Sequence, residues 1–218
     1  MRIRTLLMAA AAAAAFAAPA SAAITISLTS QNAPLALQPG EQLVADFNNA
    51  ATPEAVLLPG FDLDLVGATV GVCEGCSGYS GTLPGNNTHY LTIPGNASAK
   101  LTSLAGLKTF SFYMGSADTY NSIRFKGANG FDVTLNGGQF TQGYVGQSWS
   151  WGKRVNFDFG NDRVTEVILS SSGNSFEVDS FAVTAVPEPA TWAMMIMGFG
   201  VAGALLRRRQ SALAMARI

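Results

Sequence analysis

Between Ala23 and Ala185, apolar and polar positions alternate in short runs interrupted by glycine, asparagine and proline. Period-two alternation puts successive side chains on opposite faces of an extended chain, so each run predicts a half-buried strand. The runs are Leu43 to Phe47, Thr88 to Ile93, Lys108 to Met114, Ser122 to Lys126, Phe131 to Leu135, Arg154 to Phe159, Val164 to Ser170 and Phe176 to Val183. Turn signals fall between them at Pro84-Gly85-Asn86, Pro94-Gly95-Asn96, Ala128-Asn129-Gly130 and Asn136-Gly137-Gly138. No stretch of the region carries an apolar stripe at helical spacing. The pattern predicts an all-β domain built as an antiparallel β-sandwich.

Alternation also predicts the core. Phe110, Phe112 and Met114 share one face of their run, and Val155, Phe157 and Phe159 share one face of another. The last run is mixed, with Phe176 and Val178 opposing Glu177 and Asp179, and Phe181 and Val183 falling on the side of the acids. Such a strand is expected to be covered on both sides along part of its length.

The two ends follow other rules. Arg2 and Arg4, the apolar run Leu6 to Ala18 and Ala20-Ser21-Ala22 have the order of a secretory signal, giving a signal peptide over residues 1–22 and a mature domain over 23–185. Export of this kind implies the Sec translocon and signal peptidase as partners. At the other end Val186-Pro187-Glu188-Pro189 leads into residues 191–206, which carry no charge, and then into Arg207-Arg208-Arg209. Those sixteen residues would span roughly 24 Å as a helix, against a hydrocarbon core of about 30 Å. Trp192 at one interface and snorkelling arginines at the other make up the difference. The arginines place that side in the cytoplasm and the domain outside. A short extension, residues 210–218, follows.

Composition changes the picture in one respect. The formal net charge of the chain is −1, but residues 23–185 hold seven Lys/Arg against thirteen Asp/Glu, about −6. An acidic domain is a poor partner for nucleic acid, whose affinity comes from neutralising phosphates.

The tail resembles the PEP-CTERM sorting signal of Gram-negative bacteria: the Pro187-Glu188-Pro189 signature, the short apolar helix and the arginine cluster occur in that order over residues 186–209, with Trp192-Ala193-Met194-Met195-Ile196 after the signature. The resemblance implies Pro187, Glu188, Pro189, Trp192, Arg207, Arg208 and Arg209 as sorting determinants. It implies recognition and cleavage near the signature by an exosortase-type membrane transpeptidase. Gln210 to Ile218 prolongs the cytoplasmic end beyond the family pattern. The segments Lys108 to Ser122 and Ser170 to Val183 are similar to the domain that precedes many such tails, in which the last strand closes a jelly roll like that of carbohydrate-binding modules. The fold expected is therefore a jelly-roll-like β-sandwich flanked by a signal helix and a C-terminal transmembrane helix over 191–206.

Candidate chemistry is sparse. Cys73 and Cys76 are exported together and read as a local loop disulfide, with two lone thiols as the alternative. Haem attachment would need a histidine where Ser77 stands, and zinc would need further ligands in a chain whose sole histidine is His89. No nucleophile elbow, phosphate loop or metalloprotease motif occurs. Glycoside hydrolysis needs only two carboxylates, for which Asp62/Asp64, Asp158/Asp162 and Glu177/Asp179 are the nominees, although such near neighbours are usually solvated edges or turn caps. Tyr144, Trp149 and Trp151 form a candidate carbohydrate-stacking group, with a core plug as the alternative. Asp46 and Asp179 could meet where a jelly roll closes and supply oxygens to a structural calcium, the one cofactor considered.

Together these readings predict an exported, exosortase-sorted protein of the cell surface or extracellular matrix. It would be held first at the inner membrane facing the periplasm, and would be non-catalytic and associated with exopolysaccharide. The alternative is a surface glycoside hydrolase acting on that polymer.

Overall fold

A computed structural model describes residues 24–29, 33–49, 52, 54–66, 71–73, 83, 88–116, 118–144, 152–185, 194–203 and 207. Among the described residues eleven strands, all pairing antiparallel, form one curled sheet: β1 (Thr25–Leu28), β2 (Gln42–Ala45), β3 (Phe61–Val66), β4 (Gly71–Cys73), β5 (Tyr90–Ile93), β6 (Ala97–Met114), β7 (Asn121–Gly127), β8 (Asp132–Asn136), β9 (Lys153–Asp158), β10 (Val164–Ser171) and β11 (Phe176–Ala185). The antiparallel all-β expectation holds.

The 18-residue β6 organises the sheet. Its first half pairs with β3 and β10, and β7 and β8 extend that arm. Its second half pairs with β9 and β11, and β1, β2, β4 and β5 complete the second arm. The corner lies at Gly106, whose φ of +84° suits a residue without a Cβ. A Cβ there would also stand 2.3 Å from Cγ of Arg163. Opposite the corner the β10 register slips between Val164 and Glu166, a bulge that bends the ladder.

The arms close over phenylalanines. Phe125 of β7 lies 4.9 Å from Phe157 of β9, and Phe110 of β6 lies 6.4 Å from both. These side chains are 1 % exposed or less, as expected from the alternation of their strands. After β8 the turn expected at Asn136 to Gly138 is instead the first turn of a short helix, α1 (Gly137–Phe140). The reason is local: the Asn136 side chain accepts from Gln139 N at 3.1 Å, and Gln139 Oε1 accepts from Asn136 N at 2.8 Å. That reciprocal capping satisfies donors a helix start otherwise leaves open. The helix delivers Phe140 to the end of the core, stacked 5.9 Å from Phe176.

Residues 194–203 are helical and mostly exposed. Among the described residues no helix is long and apolar enough to cross a membrane. The span expected over 191–206 runs past them at both ends.

Candidate functional site

The outer face of the first arm is solvated, whereas that of the second is covered. β11 is buried on both sides from Phe176 to Val183. Its inward side chains meet the phenylalanine core. On the outward side Glu177 and Asp179 are 5 % and 2 % exposed, positions a carboxylate rarely occupies without partners.

Arg154 of β9 is the centre of this covered face and is fully buried. Its Nε donates to Ser111 Oγ at 3.0 Å, Nη1 to Pro34 O at 2.8 Å and Nη2 to Ser180 O at 2.5 Å. Ser111 in turn donates to Glu41 Oε2 at 3.0 Å, and Thr109 Oγ1 donates to Glu41 Oε1 at 3.3 Å. Burial draws the guanidinium down to about 10, and the negative charges of Glu41 and Asp179 act against that fall. The Ser180 carbonyl is free to accept because β11 bulges there. Asp179 pairs with Tyr113 of β6 and Ala182 with Ser111, leaving Ser180 and Phe181 outside that ladder. Ser180 carries a φ of +53° and Phe47, just past the paired strand β2, a φ of +54°.

Beside this network a pocket of about 510 Å³ opens between the 33–36 segment, the end of β2 and the β11 bulge. Pro34, Leu35 and Leu43 give it an apolar wall, and Asp46, Asn48 and Ser180 contribute to a polar one. Asp179 and Thr88 complete the polar wall. Asp46 Oδ1 accepts from Asn48 N at 3.2 Å, and Asp179 Oδ1 from Ser180 N at 2.6 Å. The two acids singled out from sequence thus line one pocket. Among the described residues no group of three or more His, Cys, Asp or Glu could hold a metal ion.

A second polar group sits further along β11. Ser175 Oγ donates to Glu177 Oε1, and Tyr120 donates its hydroxyl to Asn174 O at 2.8 Å. Burial lifts the Glu177 carboxyl to about 7, with the neighbouring charge of Asp118 adding to the rise. Burial, and then Asp118, also push the Tyr120 hydroxyl upward.

The remaining candidates are placed as follows. Tyr144 is half-buried and packs against the core, while Trp149 and Trp151 lie outside the described residues. Cys73 ends β4, but Cys76 and hence the predicted bridge lie outside them. Arg207 is exposed; Pro187, Glu188, Pro189, Trp192, Arg208 and Arg209 are outside the described residues. Asp64 pairs with Lys100 at 2.8 Å and Asp158 caps Gly160 N at 2.8 Å, so both have the ordinary roles expected of near-neighbour acids. His89 is half-buried just before β5. Sequence reasoning missed Arg154, Glu41 and Ser111. Arg154 falls on the polar side of a clean alternation, where an arginine reads as solvated, and nothing in the pattern marks the segment that covers it.

Comparison with known proteins adds the following. No curated protein sequence matches the chain. The structure is similar to a family 6 carbohydrate-binding module, at 17 % identity over 58 % of this chain and 95 % of the module, with a TM-score of 0.35. It is similar to a family 11 carbohydrate-binding module from Clostridium thermocellum, at 15 % identity over 68 % of this chain and 98 % of that one, TM-score 0.29. It is also similar to the catalytic unit of a GH87 α-1,3-glucanase from Streptomyces thermodiastaticus, at 13 % identity over 58 % of this chain and 26 % of the glucanase, TM-score 0.31. A family model for the PEP-CTERM protein-sorting motif matches residues 185–210, the stretch that holds the Pro-Glu-Pro signature, the apolar run and the arginines. The chain therefore carries a PEP-CTERM sorting motif at its C-terminal end.

Proposed function

We propose that this is an exported, exosortase-sorted surface or matrix protein of a Gram-negative bacterium, non-catalytic, whose jelly-roll-like domain associates with exopolysaccharide. The sorting motif at residues 185–210 carries the reading, because it addresses whatever precedes it to the cell envelope. Residues 1–22 act as the signal peptide, 23–185 as the outward domain, 186–209 as the sorting tail with an apolar helix over 191–206, and 210–218 as a cytoplasmic extension. Tyr144, Trp149 and Trp151 offer aromatic faces to sugar rings, and Cys73 and Cys76 close a local loop. Asp46 and Asp179 offer two oxygens to calcium, which takes six to eight, so carbonyls and water would supply the rest.

The experiment mixes the full-length chain, in mild detergent, with the producing organism's own exopolysaccharide and measures co-sedimentation and polymer length, with and without chelator. Saturable binding that falls when Trp149 and Trp151 are changed to alanine is the expected result, and a further fall with chelator assigns calcium to the domain. Absence of binding overturns the matrix role. In cells, replacing Pro187-Glu188-Pro189 by alanines is expected to hold the protein in the inner membrane; unchanged fractionation overturns the sorting role.

The hydrolase reading keeps one observation in its favour: Glu177, buried and lifted to about 7, has the protonation a general acid needs near neutrality. Polymer shortening abolished by Glu177→Gln would establish it in place of the non-catalytic role.

A further inference from the structure

We propose that the pocket between the 33–36 segment and the β11 bulge binds one unit of an amino sugar through its free, positively charged amine. The inference deepens the exopolysaccharide reading and rests on it for the source of the ligand, though not for the chemistry of the site.

Size and shape come first. A volume of about 510 Å³ lies within the ~300–1,000 Å³ typical of small-molecule sites. One wall is apolar and the other polar, which matches a pyranose ring, apolar on its C–H face and polar around its rim.

Charge then selects among sugars. Among the described residues that line the pocket, Asp46 and Asp179 are the charged ones, both acidic, and none is a lysine or arginine. Arg154 stands behind the walls, its guanidinium committed to Ser111, Pro34 and Ser180. A uronate, sulfate or other anionic unit meets repulsion here, while a neutral sugar can donate its hydroxyls to the two carboxylates but pairs no charge with them. An ammonium adds the attraction of unlike charges to its hydrogen bond. The whole domain acts in the same sense, since about −6 over residues 23–185 draws a polycationic chain toward it.

The site is also held in shape before any ligand arrives. Arg154 ties Pro34 of one wall to Ser180 of the other through one guanidinium. Fixed walls spare a ligand the cost of ordering them. Arg154 is thus a positioning residue, and Asp46, half-buried at the end of β2, is the group expected to meet the amine.

The test titrates the full-length chain in detergent with the glucosamine trisaccharide, its fully N-acetylated counterpart and putrescine, by calorimetry. The glucosamine trisaccharide should bind, more weakly as salt rises. The acetylated sugar and putrescine should each bind at least about tenfold more weakly, the first lacking the charge and the second the ring. Asp46→Asn should weaken the trisaccharide about tenfold. Leu35, 66 % exposed at the rim, supplies a variant that leaves the fold alone: Leu35→Lys should weaken binding by repulsion, and high salt should shrink the difference between variant and parent. No binding, equal affinity for the acetylated sugar or putrescine, or indifference to both substitutions overturns the proposal. Polymer binding that chelator abolishes and calcium restores, with no trisaccharide binding, makes the pocket a metal site and overturns it too. If exopolysaccharide binds parent and Leu35→Lys alike, the pocket is overturned while the matrix reading stands. If the trisaccharide binds and the exopolysaccharide does not, the pocket stands and the matrix reading falls.

Discussion

The two arms of the curled sheet share one phenylalanine core and have polar outer faces, yet those faces are physically different. On the first arm Lys100 meets Asp64 at 2.8 Å, Arg124 meets Asp132 at 2.5 Å and Lys126 meets Glu166 at 3.5 Å, all with a third or more of each side chain in solvent. Such pairs are screened by water and salt and add little. On the second arm Arg154, Glu177 and Asp179 are at 5 % exposure or less, Arg154 reaches Pro34 of the N-terminal segment, and Tyr113 beside it packs with Leu83 and Tyr90. The same residue types, at the same period along the strand, are surface decoration in one place and a desolvated network beside a pocket in the other. Function is to be sought where polar groups have lost their water and kept their partners.

The sharpest way to break this contrast is to remove the buried cation. Arg154→Met is expected to cost about 3–5 kcal/mol, because Asp179 and Glu41 lose the neighbouring guanidinium and the carbonyls of Pro34 and Ser180 lose a donor. Chemical denaturation of parent and variant measures it. A loss within ordinary surface scatter would mean that water reaches this face and that the two arms do not differ as argued.

The next effect is one of pH. Glu177 binds its proton more tightly folded, at about 7, than at its ordinary value of 4.5. Between those values the folded state holds more protons than the unfolded one, so stability falls as pH rises through the window. The buried acid contributes fully below pH ~4.5, and its favourable share is gone above pH ~7. Denaturation midpoints between pH 4.5 and 7.5 should therefore decline in the parent relative to Glu177→Gln, which removes the titration and keeps a partner for Ser175. Parallel profiles for the two proteins would show that Glu177 is solvated.

How much of this the sequence held depends on where burial comes from. Strands β7 to β11 were legible because phenylalanine and valine alternate with polar residues and firm turn signals separate them. The first half of β6, Ala97 to Leu107, was not: its inward residues are Ala97, Ala99, Leu101 and Ser103, too small to print a pattern, and Gly106 reads as a break where it is a corner. β3 alternates Phe61, Leu63 and Leu65 with Asp62 and Asp64, and aspartates argue against a strand until Lys100 is seen beside one. That Asp46 and Asp179 line one pocket answers to their places near the first and last strands. The network behind them could not be anticipated, since periodicity reports which face a side chain takes and not whether another segment covers that face. The mixed pattern of β11 was the one available hint, and its burial on both sides answers to it.

The smallest expected effect sits on the first arm and guards the comparison from the other side. Arg124 makes a two-pronged ion pair, with Nε 2.7 Å from Asp132 Oδ1 and Nη2 2.5 Å from Oδ2. By geometry alone it should matter more than Arg154, whose partners are a hydroxyl and two carbonyls. The Asp132 carboxyl is held below its ordinary value chiefly by the hydrogen bond from Arg124. Yet both groups stand in solvent, and each is rehydrated when the other is removed. Arg124→Ala and Asp132→Ala, singly and together, should leave the denaturation midpoint unchanged within error, with no coupling in the double-mutant cycle and no change in sugar affinity. A clear coupling, persisting in high salt, would mean that the first arm's face is also shielded, and that covering, rather than pairing, does not separate the two.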